Sequence, residues 1–155
     1  MSADSQQSEI ERFNDSLARC QRGDQFFQRF YDLFLDSSPE VREKFRNADV
    51  RKVRRELKTA FYMLVEYTAM GWPECEAYLE RIATVHSRQG RDIAPHLYDL
   101  WLECLLRAVQ EHDALWSSEV EAAWRYMMGA GISFLKARYD GPLAARERVC
   151  GGVEP

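Results

Sequence analysis

The sequence lacks the long apolar runs, paired cysteines and glycine-rich loops that mark several large protein classes. No apolar run approaches the roughly 20 residues that a membrane span needs, and residues 1–9 are polar, without the apolar core of a signal peptide. The four cysteines stand singly, and no GxSxG, P-loop or GxGxxG motif occurs. We therefore expect a protein that neither spans a membrane nor is exported, with idle thiols in a reducing cytoplasm.

Histidine is scarce, and an excess of positive charge is absent. The three histidines, His86, His96 and His112, are too far apart in the chain to form an HExxH or similar zinc-binding group. The formal net charge of −4 argues against general nucleic-acid binding. We expect His96 and His112 to be surface or supporting residues, since both fall near predicted helix ends.

Length and composition indicate a globular protein. The 155 residues are 46% hydrophobic and 30% charged, and a chain of this length buries roughly 70% of its unfolded surface. We expect one domain over residues 1–155, with a core over about residues 10–139. A polar N-terminal tail and a short C-terminal tail containing glycine and proline would flank that core.

Apolar residues recur at three- and four-residue spacing along the chain, which predicts helices, and no strand-like alternation occurs. Asp24 and Asp49 are expected helix caps, and Pro39 is an expected first residue of a short helix. The predicted helices cover about residues 8–20, 25–35, 39–45, 50–70, 74–86, 95–112 and 118–139. The fold class is therefore all-α. The segment from Gly129 to Gly131 is expected to allow close helix packing.

His86 continues the apolar face of its helix, because Leu79, Ile82 and Ala83 precede it by seven, four and three positions. Two interpretations remain open. The histidine could complement the negative end of its helix or be hydrogen-bonded in the core. Alternatively, its neutral imidazole could be an axial ligand to iron, with the other ring nitrogen held by a neighbouring group.

Two other features of the chain also have both a purely structural and a functional interpretation. Tyr31 lies among phenylalanines and could simply pack in the core, or its phenol could face a cavity and donate to a bound diatomic ligand. Five cations on the long helix are either a solvated face or a surface for an anionic partner. These cations are Arg51, Lys52, Arg54, Arg55 and Lys58.

Two stretches of the chain carry a family resemblance. Residues 30–45 read FYDLFLDSSPEVREKF and resemble the globin segment FYxxLF…PEVRxxF. Residues 82–106 read IATVHSRQGRDIAPHLYDLWLECLL and resemble the globin iron-binding histidine with its following helix. The chain is thus similar to the globin family, in particular to bacterial single-domain globins, over about residues 13–139. The resemblance implies an all-α globin fold with about seven helices around a haem pocket.

The resemblance also implies roles for individual residues. His86 matches the iron-binding histidine, Phe45 the phenylalanine that stacks on haem, and Tyr31 the tyrosine that faces the ligand. Tyr98 falls where related bacterial globins place a tyrosine that supports the iron-binding histidine. The implied cofactor is one haem b per chain.

One departure from the family pattern concerns the long helix, which has no distal histidine or glutamine. By helical phase Val53 takes that position, with Leu57 one turn later, and both are then expected to contact the haem. A shift of one residue would place Arg54 there instead. Arg54 and Lys58, one helical turn apart, are also candidate contacts to the haem propionates.

The expected function is binding of oxygen, nitric oxide or carbon monoxide at haem iron, for gas handling or sensing. The alternative is a haem-free module of the same fold that binds proteins or passes a signal. Nitric-oxide dioxygenase or peroxidase-like activity would need an external reductase, so the sequence leaves open whether the protein is an enzyme. It also leaves open whether the protein forms a homodimer. No nucleic-acid or membrane partner is expected.

Overall fold

The computed structural model describes residues 1–142, which form seven helices and no strand. The helices are α1 (Ala3–Cys20), α2 (Phe26–Leu35), α3 (Pro39–Phe45), α4 (Val50–Met70), α5 (Pro73–His86), α6 (Pro95–His112) and α7 (Ser118–Ala137). The predicted all-α fold class is confirmed. None of the helices in this part of the chain is long and apolar enough to cross a membrane.

Side-chain caps determine where several helices begin. Asp49 accepts from the Arg51 amide at 3.0 Å and so caps α4, as predicted. Ser38 caps α3, where Pro39 is the first helical residue. Helix α1 begins at Ala3 rather than near residue 8, because Ser2 caps it and extends the helix through the predicted tail.

Three further helix boundaries differ from the prediction. Asp24 does not cap α2, because the residue before the helix is Gln25, and the Asp24 carboxylate instead accepts from the Gln25 side chain at 3.0 Å. Gln25 already has helical backbone angles, whereas a capping residue needs an extended backbone. Helix α5 begins at Pro73, and α7 ends at Ala137 instead of continuing to Tyr139.

Helix α7 is central to the core, where α1 and α4 pack against it, while α2 packs mainly on α6. The indole of Trp124 is fully buried and meets Phe13 edge-on, with ring centroids 4.6 Å apart. Gly131 allows the close approach of α4, since a Cβ there would overlap the Leu64 side chain. Close packing is therefore confirmed at Gly131 but not at Gly129, where a Cβ would meet no atom.

A buried polar network joins α1 to the end of α6. The Asp113 carboxylate accepts from Arg19 Nε at 2.6 Å and from Ser16 Oγ at 2.6 Å. Trp124 Nε1 in turn donates to Ser16 Oγ at 2.8 Å. Every group in this network has a partner, which is the condition under which a buried charge stabilises a fold.

The cysteines of the described region behave as predicted. Cys20, Cys75 and Cys104 are buried free thiols on three different helices. Burial raises the pKa of the Cys20 thiol to about 12, so this side chain is a small apolar group at neutral pH. Cys150 lies outside the described residues.

Candidate functional site

His86, the last residue of α5, is held by Tyr98 in the first turn of α6. Its Nδ1 lies 3.1 Å from the Tyr98 hydroxyl oxygen. Nε2, the other ring nitrogen, has no hydrogen-bond partner among residues 1–142. When Nδ1 carries the proton and donates to Tyr98, Nε2 presents a free lone pair.

The His86 ring is neutral at physiological pH. Burial and, to a smaller extent, the nearby Arg91 guanidinium lower the pKa of His86 to about 4. Burial also raises the pKa of the Tyr98 phenol, so this partner stays protonated. A neutral imidazole with one oriented nitrogen and one free nitrogen is the form that binds a metal ion.

The loop that follows His86 is held from both sides by groups that sequence reasoning missed. The Arg88 amide donates to the Tyr139 carbonyl at 2.8 Å, and the Tyr139 hydroxyl donates to Asp92. Lys44, the neighbour of Phe45, donates to the Arg91 carbonyl at 3.0 Å. These contacts join distant parts of the chain, and no local sequence pattern predicts them.

Gly90 determines the shape of the same loop. A Cβ at this position would overlap the backbone carbonyl of Val85, which belongs to the last turn of α5. Backbone atoms cannot turn aside as a flexible side chain can. Glycine is therefore required for the chain to fold back closely beside His86.

Tyr31 on α2 carries a buried hydroxyl without a partner. The residue is 5% exposed, and no group in the described part of the chain is hydrogen-bonded to its oxygen. Burial raises the pKa of the phenol, Tyr62 raises it further, and Arg54 opposes both. A buried hydroxyl without a hydrogen bond is costly, so the Tyr31 hydroxyl is a candidate donor to a bound ligand.

Val53 and Arg54, the two candidates for the distal position on α4, point to different surroundings. Val53 is 7% exposed and, together with Phe45, lines a cavity of about 180 Å³ between α2, α3 and the start of α4. Arg54 instead extends towards α2, where its Nη2 lies 3.4 Å from Asp32 Oδ1. Leu57, one turn after Val53, is partly buried against the core.

Phe45 is partly buried at the end of α3. Its ring meets Phe34 edge-on, with centroids 6.1 Å apart. No hydrogen bond, ion pair or ring contact within residues 1–142 joins the group of Phe45 and Val53 directly to His86. The link is through their neighbours, because Lys44 reaches Arg91, and Glu40 on α3 pairs with His96 on α6 at 2.7 Å.

The remaining predicted features lie at the surface. His96 is exposed, as predicted, and His112 bonds the carbonyl one turn before it in α6 at 2.8 Å. The cations of α4 are exposed except Arg54, and the Lys58 ammonium lies 5.2 Å from the centre of the Phe27 ring. An open groove of about 750 Å³ between α2 and α6 contains no predicted site residue, and its walls carry charges of both signs.

Comparison with known proteins assigns the fold. The family model named Globin matches residues 28–134, about two thirds of the chain. The chain belongs to the globin family. All the predicted site residues lie within the matched range, and the fold is the all-α globin fold.

This globin also has a solved bacterial neighbour. A crystal structure of a Pseudomonas aeruginosa PAO1 protein, described as structurally highly homologous to a human haemoglobin, superposes with a TM-score of 0.77 at 39% sequence identity. The match covers 86% of this chain and 99% of the other. No curated protein sequence matches the globin significantly.

Proposed function

We propose that this globin binds one haem b through Nε2 of His86 and that the haem takes a diatomic gas as its ligand. The observation that carries the proposal is the state of His86, a neutral imidazole whose Nδ1 is bonded to Tyr98 and whose Nε2 has no protein partner in the described residues. Membership of the globin family supports the same role.

The donor set fits the cofactor. Iron in haem proteins takes a neutral imidazole nitrogen, and the opposite ring nitrogen of such a ligand is normally held by a second group. Tyr98 would hold the Nδ1–H tautomer and fix the plane of the ring. Through this orientation Tyr98 would also set how strongly Nε2 binds.

The other residues expected at the haem are apolar, apart from Tyr31. Phe45, Val53 and Leu57 would contact the macrocycle and exclude water from it, and Tyr31 would direct its unpartnered hydroxyl to the gas. The cavity beside Phe45 and Val53, about 180 Å³, is below the roughly 300–1,000 Å³ of most ligand pockets. We therefore expect haem binding to widen the space beside α4.

When bound, haem would supply an iron centre that coordinates oxygen, nitric oxide or carbon monoxide. The chain's own contribution would be the His86 imidazole that holds the iron, apolar side chains that exclude water, and one hydrogen-bond donor. Gas handling and sensing need only these. Turnover as a dioxygenase or peroxidase would require electrons from an external reductase. A haem-free module would have no use for an unpartnered hydroxyl and a free imidazole nitrogen.

The visible spectrum of the purified protein tests the proposal. We expect a strong Soret band with about one haem per chain. His86→Gly should lose the haem on purification, and added imidazole should restore binding in part. The matched control is His96→Ala, since His96 is exposed and its hydrogen bond within residues 1–142 is to Glu40, and the spectrum of this variant should be unchanged. An unaltered spectrum and stoichiometry in His86→Gly would contradict the assignment.

A further inference from the structure

The start of α4 carries an exposed surface with an excess of positive charge. Residues 40–58 contain eight lysines and arginines and four acidic residues, in a chain whose formal net charge is −4. Arg51 and Arg55 are exposed, and neither forms an ion pair with another residue of the described chain. Beside them Val50 is 51% exposed at the edge of the cavity that Phe45 also lines. We call Val50, Arg51 and Arg55 the basic end of α4.

The two arginines do not stabilise the helix that carries them. Arg51 lies in the first turn of α4, where the helix dipole disfavours a positive charge. Arg55 follows it at a spacing of four residues, which places two like charges side by side on one face. Unpaired charges around an exposed apolar side chain are instead typical of a surface that binds another protein.

The other end of α4, where α5 begins, carries a surface of opposite charge. Residues 66–80 contain four acidic residues and no basic one. Glu74 and Glu76 are exposed and form no ion pair within residues 1–142. Two large apolar side chains precede them, Met70 and Trp72, which are 56% and 50% exposed. We call Met70, Trp72, Glu74 and Glu76 the acidic end of α4.

The two ends are complementary in charge but cannot meet within one molecule. Helix α4 has 21 residues, so its ends lie roughly 30 Å apart at about 1.5 Å per residue. Salt screens exposed charges beyond about 8 Å at physiological ionic strength, so the two ends do not neutralise each other. A symmetric dimer through either end would bring like charges together. A head-to-tail contact brings opposite charges together.

We propose that this globin self-associates head to tail, with the acidic end of one copy bound to the basic end of the next. The exposed apolar side chains of the two ends pack together, and the two arginines pair with the two glutamates. Each copy uses a different surface for each neighbour, so the assembly either grows from copy to copy or closes into a ring. The proposal goes beyond the proposed function and does not depend on haem uptake.

Sedimentation velocity of the purified full-length protein tests the proposal. In low salt the mean sedimentation coefficient should rise with protein concentration, and in high salt it should fall to the monomer value, because salt screens the paired charges. Trp72→Ala should weaken the association about tenfold or more, since a buried tryptophan often dominates the affinity of an interface. Leu115→Ala is the control, because it removes another exposed apolar side chain that belongs to neither end.

Reversal of charge distinguishes this contact from general attraction between charged proteins. The double variant Arg51→Glu with Arg55→Glu has two acidic ends. The double variant Glu74→Lys with Glu76→Lys has two basic ends. Each variant alone should be monomeric, and an equimolar mixture of the two should associate again.

The matched control is Arg107→Glu with Arg125→Glu, which makes the same change of charge at exposed positions of α6 and α7 and should associate as the wild type does. A wild-type protein that is monomeric at every concentration in low salt would overturn the proposal, as would a monomeric mixture of the two charge-reversed variants. A monomeric wild-type protein that sediments with phosphatidylserine vesicles would also overturn it and assign the basic end to a membrane surface.

Discussion

Nδ1 of His86 and the hydroxyl oxygen of Tyr98 lie 3.1 Å apart, across a loop that turns back on itself between α5 and α6. The bond joins the last residue of one helix to the first turn of the next. It fixes the rotation of the imidazole about its side-chain bonds and selects the nitrogen that stays free. Any metal chemistry at His86 therefore depends on Tyr98 as well.

Tyr98→Phe is expected to weaken haem binding about 10- to 100-fold, which is the usual cost of removing the group behind a metal-bound histidine. The iron–histidine stretching frequency should also change, because the phenol influences the basicity of Nε2. Haem transfer to apomyoglobin and resonance Raman spectra measure the two effects. Tyr78→Phe on α5, the helix that carries His86, is the control, and equal haem loss in both variants would remove Tyr98 from the site.

Gly90→Ala is expected to destabilise the protein by at least 1 kcal/mol, because the new Cβ would overlap the Val85 carbonyl and the backbone must move. Gly23→Ala is the matched control, since a Cβ at position 23 meets no atom. That substitution should be neutral or stabilise by about 0.4–1 kcal/mol through the unfolded chain. Urea unfolding of both variants measures the difference. Equal free energies of unfolding would contradict the close approach.

Asp113→Asn is expected to cost about 3–5 kcal/mol, because it leaves the guanidinium of Arg19 without its buried partner. The Asp113 side chain is 0% exposed and that of Arg19 is 17% exposed. The control is Asp36→Asn, whose carboxylate is 86% exposed and pairs with Arg42 at the surface. Loss of this surface ion pair should lower the free energy of unfolding by less than about 1 kcal/mol. Similar costs for the two variants would show that the network contributes little.

The same carboxylate predicts a pH dependence. Burial would raise the pKa of Asp113, but hydrogen bonds from Arg19, Ser16 and the Leu115 amide outweigh this effect and hold the pKa below its usual value. The unfolded chain therefore takes up this proton first as the pH falls. The stabilisation by Asp113 is complete above about pH 4 and is lost below it, since an unperturbed aspartate titrates near 3.9. Asp113→Asn should flatten this acidic part of the stability curve.

The fold could be predicted from the sequence wherever the decisive interactions are local. Asp49 and Pro39 were identified because capping and first-turn preferences act over three or four residues. Asp24 was misplaced because Gln25 already adopts helical angles, and side-chain type alone does not reveal that. The periodic spacing of apolar residues also predicted that His86 continues the apolar face of α5.

The rest of the site depends on contacts between distant segments. Val53 and Arg54 are adjacent, so the sequence left either one as the distal residue, and only the packing of α4 shows that the two side chains have different surroundings. Tyr31 could be recognised as a candidate, but the lack of a partner for its hydroxyl is visible only in three dimensions. Nothing in the sequence indicated the roles of Lys44 and Tyr139, because each side chain bonds a loop residue more than 45 positions away.

Tyr31→Phe should first alter the apoprotein. The hydroxyl is buried and has no hydrogen-bond partner within residues 1–142, so its removal should stabilise the haem-free chain by about 1 kcal/mol. Tyr62→Phe is the control, because that phenol has a partner in Gln21 and its removal should not stabilise. Thermal unfolding of the two apoprotein variants decides the point. A loss of stability in Tyr31→Phe would mean that the hydroxyl is already satisfied.

Although Tyr31→Phe should stabilise the apoprotein, the same substitution should weaken the binding of oxygen. Oxygen becomes polarised when it binds and accepts a hydrogen bond, whereas carbon monoxide stays nearly apolar. A bond near the upper end of the usual 0.5–1.5 kcal/mol corresponds to about tenfold in affinity. Tyr31→Phe should therefore speed oxygen dissociation about tenfold and change carbon monoxide dissociation much less, as measured by stopped flow. Small and equal changes for both gases would exclude Tyr31 as the donor and leave Arg54 as the next candidate.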